Sequence, residues 1–202
     1  MNYTFKLKLV MKNLSISFFL LFVLNTACKK DETTTPNAKP SESPVAKILE
    51  DKTWTQTTFS NGPFELGYIF SSSVKGKITQ VGCRMPDLGI YTVSIWEEGT
   101  KKLVRQKTVE QSSPEKFTLV TVDELAVEKD VKYVISVNSA IGGIKKSYFQ
   151  ISNATANIFP IVRGSIVIQK TVYNNGAVPT FPATGSYLDK IFGYADFTFT
   201  PD

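Results

Sequence analysis

Side chains of the kinds that bind sugars are concentrated in one segment near the C-terminus, Tyr173–Tyr187. Aromatic rings pack on the apolar faces of sugars, and amide groups exchange hydrogen bonds with hydroxyls. Long segments between strands of a compact domain are often functional. We therefore expect this segment to bind a ligand, with a glycan as the first candidate. The residues expected to contact it are Tyr173, Asn174, Asn175, Phe181 and Tyr187. The alternative is a packed surface loop in which Phe181 and Tyr187 close one end of the fold.

Two other sets of residues could bind small charged ligands. The segment Ser139–Tyr148 contains Gly142-Gly143 and the basic pair Lys145-Lys146, which could bind an anionic group or form a solvated hairpin tip. Carboxylate oxygens are the ligands that calcium prefers, but no EF-hand spacing is present. We therefore predict no metal or other cofactor, with structural calcium left open as an alternative at three aspartates: Asp87, Asp189 and Asp196.

The composition argues against catalysis. The chain contains no histidine, which removes Ser-His-Asp and Cys-His arrangements and the commonest general base. Glycoside hydrolysis needs two carboxylates that face each other, and no segment marks such a pair. Cys83 lies in the apolar run Val81–Met85, which predicts a buried small hydrophobic residue, with a reactive thiol as the alternative. We expect no catalytic residues and no enzyme.

The first residues have the features of a lipoprotein signal peptide. A lysine-rich start precedes the apolar stretch Leu14–Leu24, which is too short for a spanning helix. Leu24–Ala27 resembles the lipobox that precedes a lipidated cysteine, and Lys30–Glu32 resembles a signal for display on the cell surface. We expect residues 1–27 to be removed and acyl chains of the palmitate kind to attach to Cys28. The membrane partner would then be the outer membrane, with the protein exposed outside; the alternative is an ordinary signal peptide.

A tether and one domain are expected after the signal peptide. Residues 28–44 contain no apolar side chain larger than alanine apart from the cysteine and prolines, so they cannot bury enough surface to fold. Residues 45–202 are long enough for one domain with a sizeable core. Residues 1–27 hold three lysines and no acid, so their removal lowers the formal net charge from +5 to +2. This small charge does not indicate a nucleic-acid partner.

The domain itself has the pattern of a β protein. Apolar and polar residues alternate at period two in Ile90–Trp96, Lys132–Asn138 and Ile191–Thr200, and one helical turn at most is expected in Val45–Asp51. Glycine, proline and asparagine clusters separate about nine or ten short strands. Further strands are expected elsewhere, among them one over Ile161–Val172. We predict a single all-β domain, an antiparallel β-sandwich or jelly roll.

Several strand motifs resemble a bacterial domain family of unknown function, DUF4082. The resemblance covers roughly Trp54–Thr200 and depends on Phe64–Phe70, Val74–Val81, Tyr91–Glu97, Phe117–Val120 and Tyr133–Val137. It implies a β-sandwich of the type appended to extracellular and carbohydrate-related proteins. It also implies that Gly67 and Gly76 are turn or close-approach positions, and that Trp96 fills the core edge or covers a face. The family has no established catalytic residues, so none is transferred.

The sequence thus predicts a lipid-anchored, non-catalytic module outside the cytoplasm. Its partner would be a glycan or a surface protein, held near the membrane, where tethering raises the effective concentration. The first alternative is a structural or accessory subunit of an outer-membrane surface complex, which a contiguous exposed apolar patch would favour. A hydrolase that uses carboxylates is the second alternative.

Overall fold

Strands make up most of the protein in the computed structural model, which describes residues 39–153 and 157–202. The predicted signal peptide, Cys28 and most of the predicted tether lie outside the described residues. The elements, in chain order, are α1 (Pro44–Leu49), β1 (Thr55–Phe59), β2 (Phe64–Ser72), β3 (Gly76–Arg84), β4 (Gly89–Glu97), β5 (Leu103–Gln111), β6 (Thr118–Val127), β7 (Tyr133–Asn138), β8 (Ala140–Ile141), β9 (Ile144–Lys145), β10 (Tyr148–Ser152), β11 (Ile161–Arg163), β12 (Ile166–Asn175), β13 (Thr184–Tyr187), β14 (Lys190–Phe192) and β15 (Tyr194–Pro201).

The strands form antiparallel sheets that pack on one another. The largest sheet has the order β11-β12-β2-β7-β4-β5, with β13 paired to β12. A second sheet has the order β15-β3-β6, a third has the order β1-β10-β14, and β8 and β9 form a hairpin. Across the sandwich, Phe70 of β2 and Phe197 of β15 have ring centres 4.5 Å apart within the main core. The prediction of an all-β antiparallel sandwich is confirmed.

Both faces of the largest sheet are covered at its centre. Along β2, Leu66 and Tyr68 face the main core, while Glu65 and Ile69 face the opposite side, as the alternation of strand side chains requires. That opposite side, called here the outer face, is nevertheless buried. A second apolar cluster covers it, formed by Ile69, Trp96, Val134 and Val172 with Phe181 packed against them. Trp96 therefore covers a face of the sheet, one of its two predicted roles.

Two predicted strands are each divided by a glycine with positive φ. The strand expected over Ile161–Val172 is a hairpin of β11 and β12 that turns at Gly164, where φ is +59°. The alternating run Ile191–Thr200 is broken at Gly193, where φ is +57°. The two parts, β14 and β15, belong to different sheets. The prediction of two continuous strands was wrong, because left-handed backbone at glycine ends the pleat.

The described fold includes contacts made by a residue before position 45, the predicted start of the domain. Glu42 pairs with Phe199 of β15, and its side chain accepts hydrogen bonds from the N–H (2.8 Å) and hydroxyl (3.0 Å) of Ser165. Helix α1 follows, with its first turn capped by the Asp196 carboxylate, which accepts from the N–H groups of Val45 (3.2 Å) and Ala46 (2.7 Å). A buried carboxylate is a suitable cap because the first N–H groups of a helix have no partner within it.

Candidate functional site

An open groove of about 510 Å³ lies where the space between the sheets reaches the surface. One side is the β1-β10-β14 sheet, and the other is the end of the largest sheet formed by β2, β12 and β13. Most of the lining is aromatic: Phe59, Phe64, Tyr148, Tyr173, Tyr187 and Phe192. The remaining lining residues are Asn61, Leu66, Gln150, Asn175 and Lys190.

The aromatic side chains of the groove pack on one another in a continuous wall. Phe64 contacts Tyr148 and Tyr173 edge to face, each with ring centres 5.9 Å apart. Phe192 contacts Tyr173 and Tyr187 in the same manner, at 6.2 Å and 5.4 Å. Edge-to-face pairs are a favoured arrangement of aromatic rings. Because each ring is held by its neighbours, we infer that the wall is formed before any ligand arrives.

Strand periodicity explains why residues from distant parts of the chain meet in the groove. Tyr148 and Gln150 are two positions apart in β10, and Lys190 and Phe192 are two positions apart in β14, so each pair lies on one face. The register places Gln150 opposite Phe192. Phe59 of β1 lies opposite Tyr148, and their rings stack at 5.8 Å.

The segment Tyr173–Tyr187 is a β-hairpin and not the long loop that the sequence suggested. Strand β12 continues through Asn175, and β13 pairs back onto it, with Thr184 opposite Tyr173 and Tyr187 opposite Thr171. Only residues 176–183 form the connecting loop, called here the hairpin loop. Pairing with β12 fixes where Tyr187 lies.

The structure brings three of the five predicted ligand residues together. Tyr173, Asn175 and Tyr187 line the groove. Asn174 and Phe181 are not among its lining residues. Asn174 points away from Tyr173 by strand alternation, and its amide exchanges hydrogen bonds with Thr180 (3.0 Å) and Thr184 (3.3 Å). Phe181 packs on Trp96 across the outer face, with ring centres 6.0 Å apart.

The rest of the lining was missed by the sequence analysis. These residues are Phe59, Asn61, Phe64, Leu66, Tyr148, Gln150, Lys190 and Phe192. One signal was present in the sequence. Phe59 and Phe64 lie on either side of the Asn61-Gly62-Pro63 turn, so two aromatic rings are expected near that turn.

The polar groups of the described groove lining are three amides, three tyrosine hydroxyls and the Lys190 ammonium. The Tyr148 hydroxyl donates to the side-chain oxygen of Asn61 over 2.9 Å, and burial raises the pKa of Tyr148. The Lys190 ammonium lies 4.9 Å from the centre of the Tyr187 ring and 3.3 Å from the Asp189 carboxylate. No aspartate or glutamate is among the lining residues in the described part of the chain. The groove can therefore donate and accept hydrogen bonds, and the charged side chain among its described lining residues is the basic Lys190.

A buried carboxylate lies behind the groove, on the outer face of β2. Glu65 is 1% exposed and accepts hydrogen bonds from the Ser136 hydroxyl (2.5 Å) and the Asn138 amide (2.9 Å). The Thr180 backbone N–H of the hairpin loop is a third donor. Burial nevertheless raises the pKa of Glu65 to about 7. The Ser136 oxygen accepts from the Trp96 indole over 3.0 Å, so the Ser136 proton is directed to Glu65.

The three aspartates considered for calcium do not lie together. Asp87 accepts from the Ser147 N–H (2.6 Å), Asp189 pairs with Lys190, and Asp196 caps α1. The three aspartates thus have separate partners. Among residues 39–153 and 157–202 there is no cluster of three or more His, Cys, Asp or Glu side chains that could hold a metal.

Cys83 and the segment that contains Lys145 each have a structural role that accounts for them. Gly142-Gly143 is the turn of the β8–β9 hairpin, so the Lys145 side of this segment is a hairpin tip. Cys83 is fully buried, and burial raises its pKa to about 12. The prediction of a buried small hydrophobic residue is confirmed, because a thiol that stays protonated and inaccessible is unreactive.

The fold and the groove define a β-sandwich domain with an aromatic groove between two of its sheets. The family model described as "Domain of unknown function (DUF4082)" matches residues 51–192. The chain belongs to this family. No curated protein matches the chain. As the resemblance implied, Gly67 and Gly76 are close-approach positions, because a Cβ there would lie 2.2 Å and 2.4 Å from backbone oxygens of neighbouring strands. No helix in the described ranges has the length and apolar character of a membrane span.

Proposed function

We propose that this protein is a non-catalytic module that binds a glycan in the aromatic groove. We also propose that lipid on Cys28 holds it at the external surface of the outer membrane. The observation that carries the proposal is the convergence of six aromatic side chains with three amides in one open groove. Its volume is in the range of small-molecule sites. Aromatic rings and amides are the groups that bind sugars, and no aspartate or glutamate is among the lining residues within the described part of the chain.

The character of the lining supports a sugar in preference to a purely apolar ligand. A sugar ring has apolar C–H faces and a rim of hydroxyls. Tyr187 is 40% exposed, so its side chain is available to such a ligand, while Asn61 and Asn175 are exposed at the edge. Amides donate and accept, which matches hydroxyls of either orientation.

Binding of immobilised glycans by the purified full chain tests this function. We expect the protein in detergent to bind a subset of glycans on an array. The Tyr187→Ala variant should lose that binding, and Leu103→Ala should retain it. Leu103 is the matched control because it is also 40% exposed but lies in β5, outside the groove. Absence of binding to every glycan on the array would contradict the proposal.

The proposed anchor is tested separately by replacing the sulfur that would carry the lipid. The wild-type chain should partition with membranes and carry an added mass of acyl chains, since several chains bind a bilayer far more tightly than one. Cys28→Ser should remove both properties. The matched control is Cys83→Ser, which leaves Cys28 in place. Membrane partitioning of Cys28→Ser with no change in mass would contradict the anchor.

A second candidate function is that of an accessory subunit, and one observation favours it. Leu88, Ile90 and Ile144 are 57%, 56% and 67% exposed. The first two flank Gly89, on which Ile141 packs, and Ile144 pairs with Ile141. Exposed large apolar side chains such as these are candidates for a protein contact. If the chain is a subunit, Ile144→Asp should reduce the size of the detergent-extracted particle in sedimentation, and Val162→Asp, which is similarly exposed elsewhere, should not.

A further inference from the structure

We propose that the groove selects sugars that carry a carboxylate, with Lys190 as the residue that binds it. This inference depends on the proposed glycan-binding function and specifies the ligand class of the same site. The evidence for it is the charge of the described groove lining and the position of Lys190 in that lining.

The charge of the groove is one-sided. Lys190 is the only residue with an ionised side chain among the lining residues of the described chain, and the other polar groups are amides and tyrosine hydroxyls. A concave site with one sign of charge attracts the opposite charge, because its protein walls screen less than water does. The Asp189 carboxylate, 3.3 Å from this ammonium, is not a lining residue but offsets part of its charge. An anionic ligand is therefore favoured over a neutral one through direct contact with the Lys190 ammonium.

Backbone and side-chain contacts hold Lys190 at the groove. It belongs to β14, where its carbonyl accepts a hydrogen bond from the Thr171 hydroxyl over 2.5 Å. Its ammonium lies over the Tyr187 ring at 4.9 Å, a cation–π distance. The side chain of Lys190 is 23% exposed, so it is partly desolvated but still accessible from the groove.

The contact with Asp189 leaves the ammonium able to bind a ligand. The distance of 3.3 Å and the 42% exposure of the Asp189 side chain describe an ion pair at the rim. Such pairs contribute little, and an ammonium has three donors. A ligand carboxylate in the groove would accept a charge-assisted hydrogen bond from another donor, which is stronger than a neutral hydrogen bond.

The experiment compares acidic oligosaccharides with matched neutral forms. Oligomers of galacturonate, guluronate-rich alginate and hyaluronan are titrated into the full chain in detergent, each beside its carboxyl-reduced counterpart, which keeps the sugar stereochemistry. We expect at least one acidic oligomer to bind, and its reduced form to bind at least about tenfold more weakly, the effect of one charge-assisted hydrogen bond. Affinity for the acidic form should also fall as NaCl is raised from about 50 to 500 mM.

Variants at two lysines test whether Lys190 causes the preference for acidic oligosaccharides. Lys190→Gln should remove the difference between acidic and reduced oligomers, and Lys190→Arg should keep it. Lys170→Gln, a change in β12 outside the groove, should leave it unaltered. Equal or tighter binding of the reduced oligomers to the wild-type chain would overturn this inference while leaving the groove a glycan site. Binding of no acidic or neutral glycan would instead overturn the proposed function itself.

Discussion

The Asn138 side-chain amide donates hydrogen bonds both to the Glu65 carboxylate, over 2.9 Å, and to the Gly176 carbonyl, over 3.3 Å. Glu65 lies on β2, and Gly176 begins the hairpin loop. With the Thr180 N–H as a further donor to Glu65, these bonds fasten the hairpin loop to the outer face of the sheet. The loop leads into β13, which carries Tyr187. We infer that Glu65, on the outer face of the sheet, helps to position Tyr187 in the groove on the opposite face.

Replacing Glu65 by alanine should destabilise the domain and loosen the hairpin loop. The change leaves the Ser136 and Asn138 donors without their buried acceptor, and a buried unsatisfied donor costs about 1–3 kcal/mol. We expect the free energy of unfolding in urea to fall by at least about 2 kcal/mol, with faster thermolysin cleavage within residues 176–183. The control Glu50→Ala removes only an exposed ion pair with Lys47 and should cost less than about 1 kcal/mol. Equal losses in the two variants would contradict the role of Glu65 in fastening the hairpin loop.

Stability should decrease as the pH rises from about 4 to about 7. Burial raises the pKa of Asp196 from 3.8 to about 7, in spite of its backbone donors, and that of Glu65 from 4.5 to about 7. The folded chain therefore binds these protons more tightly than the unfolded chain. The resulting stabilisation is complete below the unfolded pKa values and is lost as the pH passes through the folded ones.

The Asp196→Asn variant isolates one of these carboxyl groups. Urea unfolding at intervals between pH 4 and 8 should show a smaller loss of stability in the variant than in the wild type, by on the order of a few kcal/mol. Asp189→Asn is the control, because that side chain lies at the surface and pairs with Lys190. A wild-type stability that rises steadily from pH 4 to 7, with the same slope in Asp196→Asn, would show that the buried carboxyl is ionised throughout.

A methyl group at Gly67 should be poorly tolerated. An added Cβ would lie 2.2 Å from the Ile135 carbonyl oxygen and 2.9 Å from the Ser136 Cα, so β2 and β7 could not keep their spacing. We expect Gly67→Ala to lower the free energy of unfolding by about 1–3 kcal/mol or more. Gly99→Ala is the matched control, since nothing lies within 4 Å of its Cβ position, and should change stability by less than about 0.5 kcal/mol. A thermal melt of Gly67→Ala that matches the control would refute this packing.

Much of the fold could be predicted because most strands follow a simple alternation. Tyr91, Val93 and Ile95 are buried on one face of β4, as their period of two indicates. The run Ile191–Thr200 shows where that reasoning ends. The local pattern continues through Gly193, but the backbone there turns to φ +57° so that two sheets can be joined, a requirement of the tertiary structure.

The groove was only partly predictable, for a related reason. Tyr173, Asn175 and Tyr187 are close in sequence and are joined by one hairpin, so composition alone singled them out. Phe59 and Tyr148 meet them through pairing of β1 with β10, which no local pattern specifies. The sequence also gives no sign that a polar residue such as Glu65 is buried, because burial on the outer face depends on the hairpin loop folding over it.

Calorimetric titration of the best-binding array oligosaccharide into wild-type, Tyr187→Ala and Leu103→Ala chains tests the central claim most directly. Loss of a ring from the groove should weaken binding at least about tenfold, since one aromatic contact contributes on the order of 1–3 kcal/mol. The Leu103→Ala chain should bind as the wild type does, with both variants unfolding at the same denaturant concentration as the wild type. Unchanged affinity in Tyr187→Ala would place the glycan elsewhere and contradict the groove as the binding site.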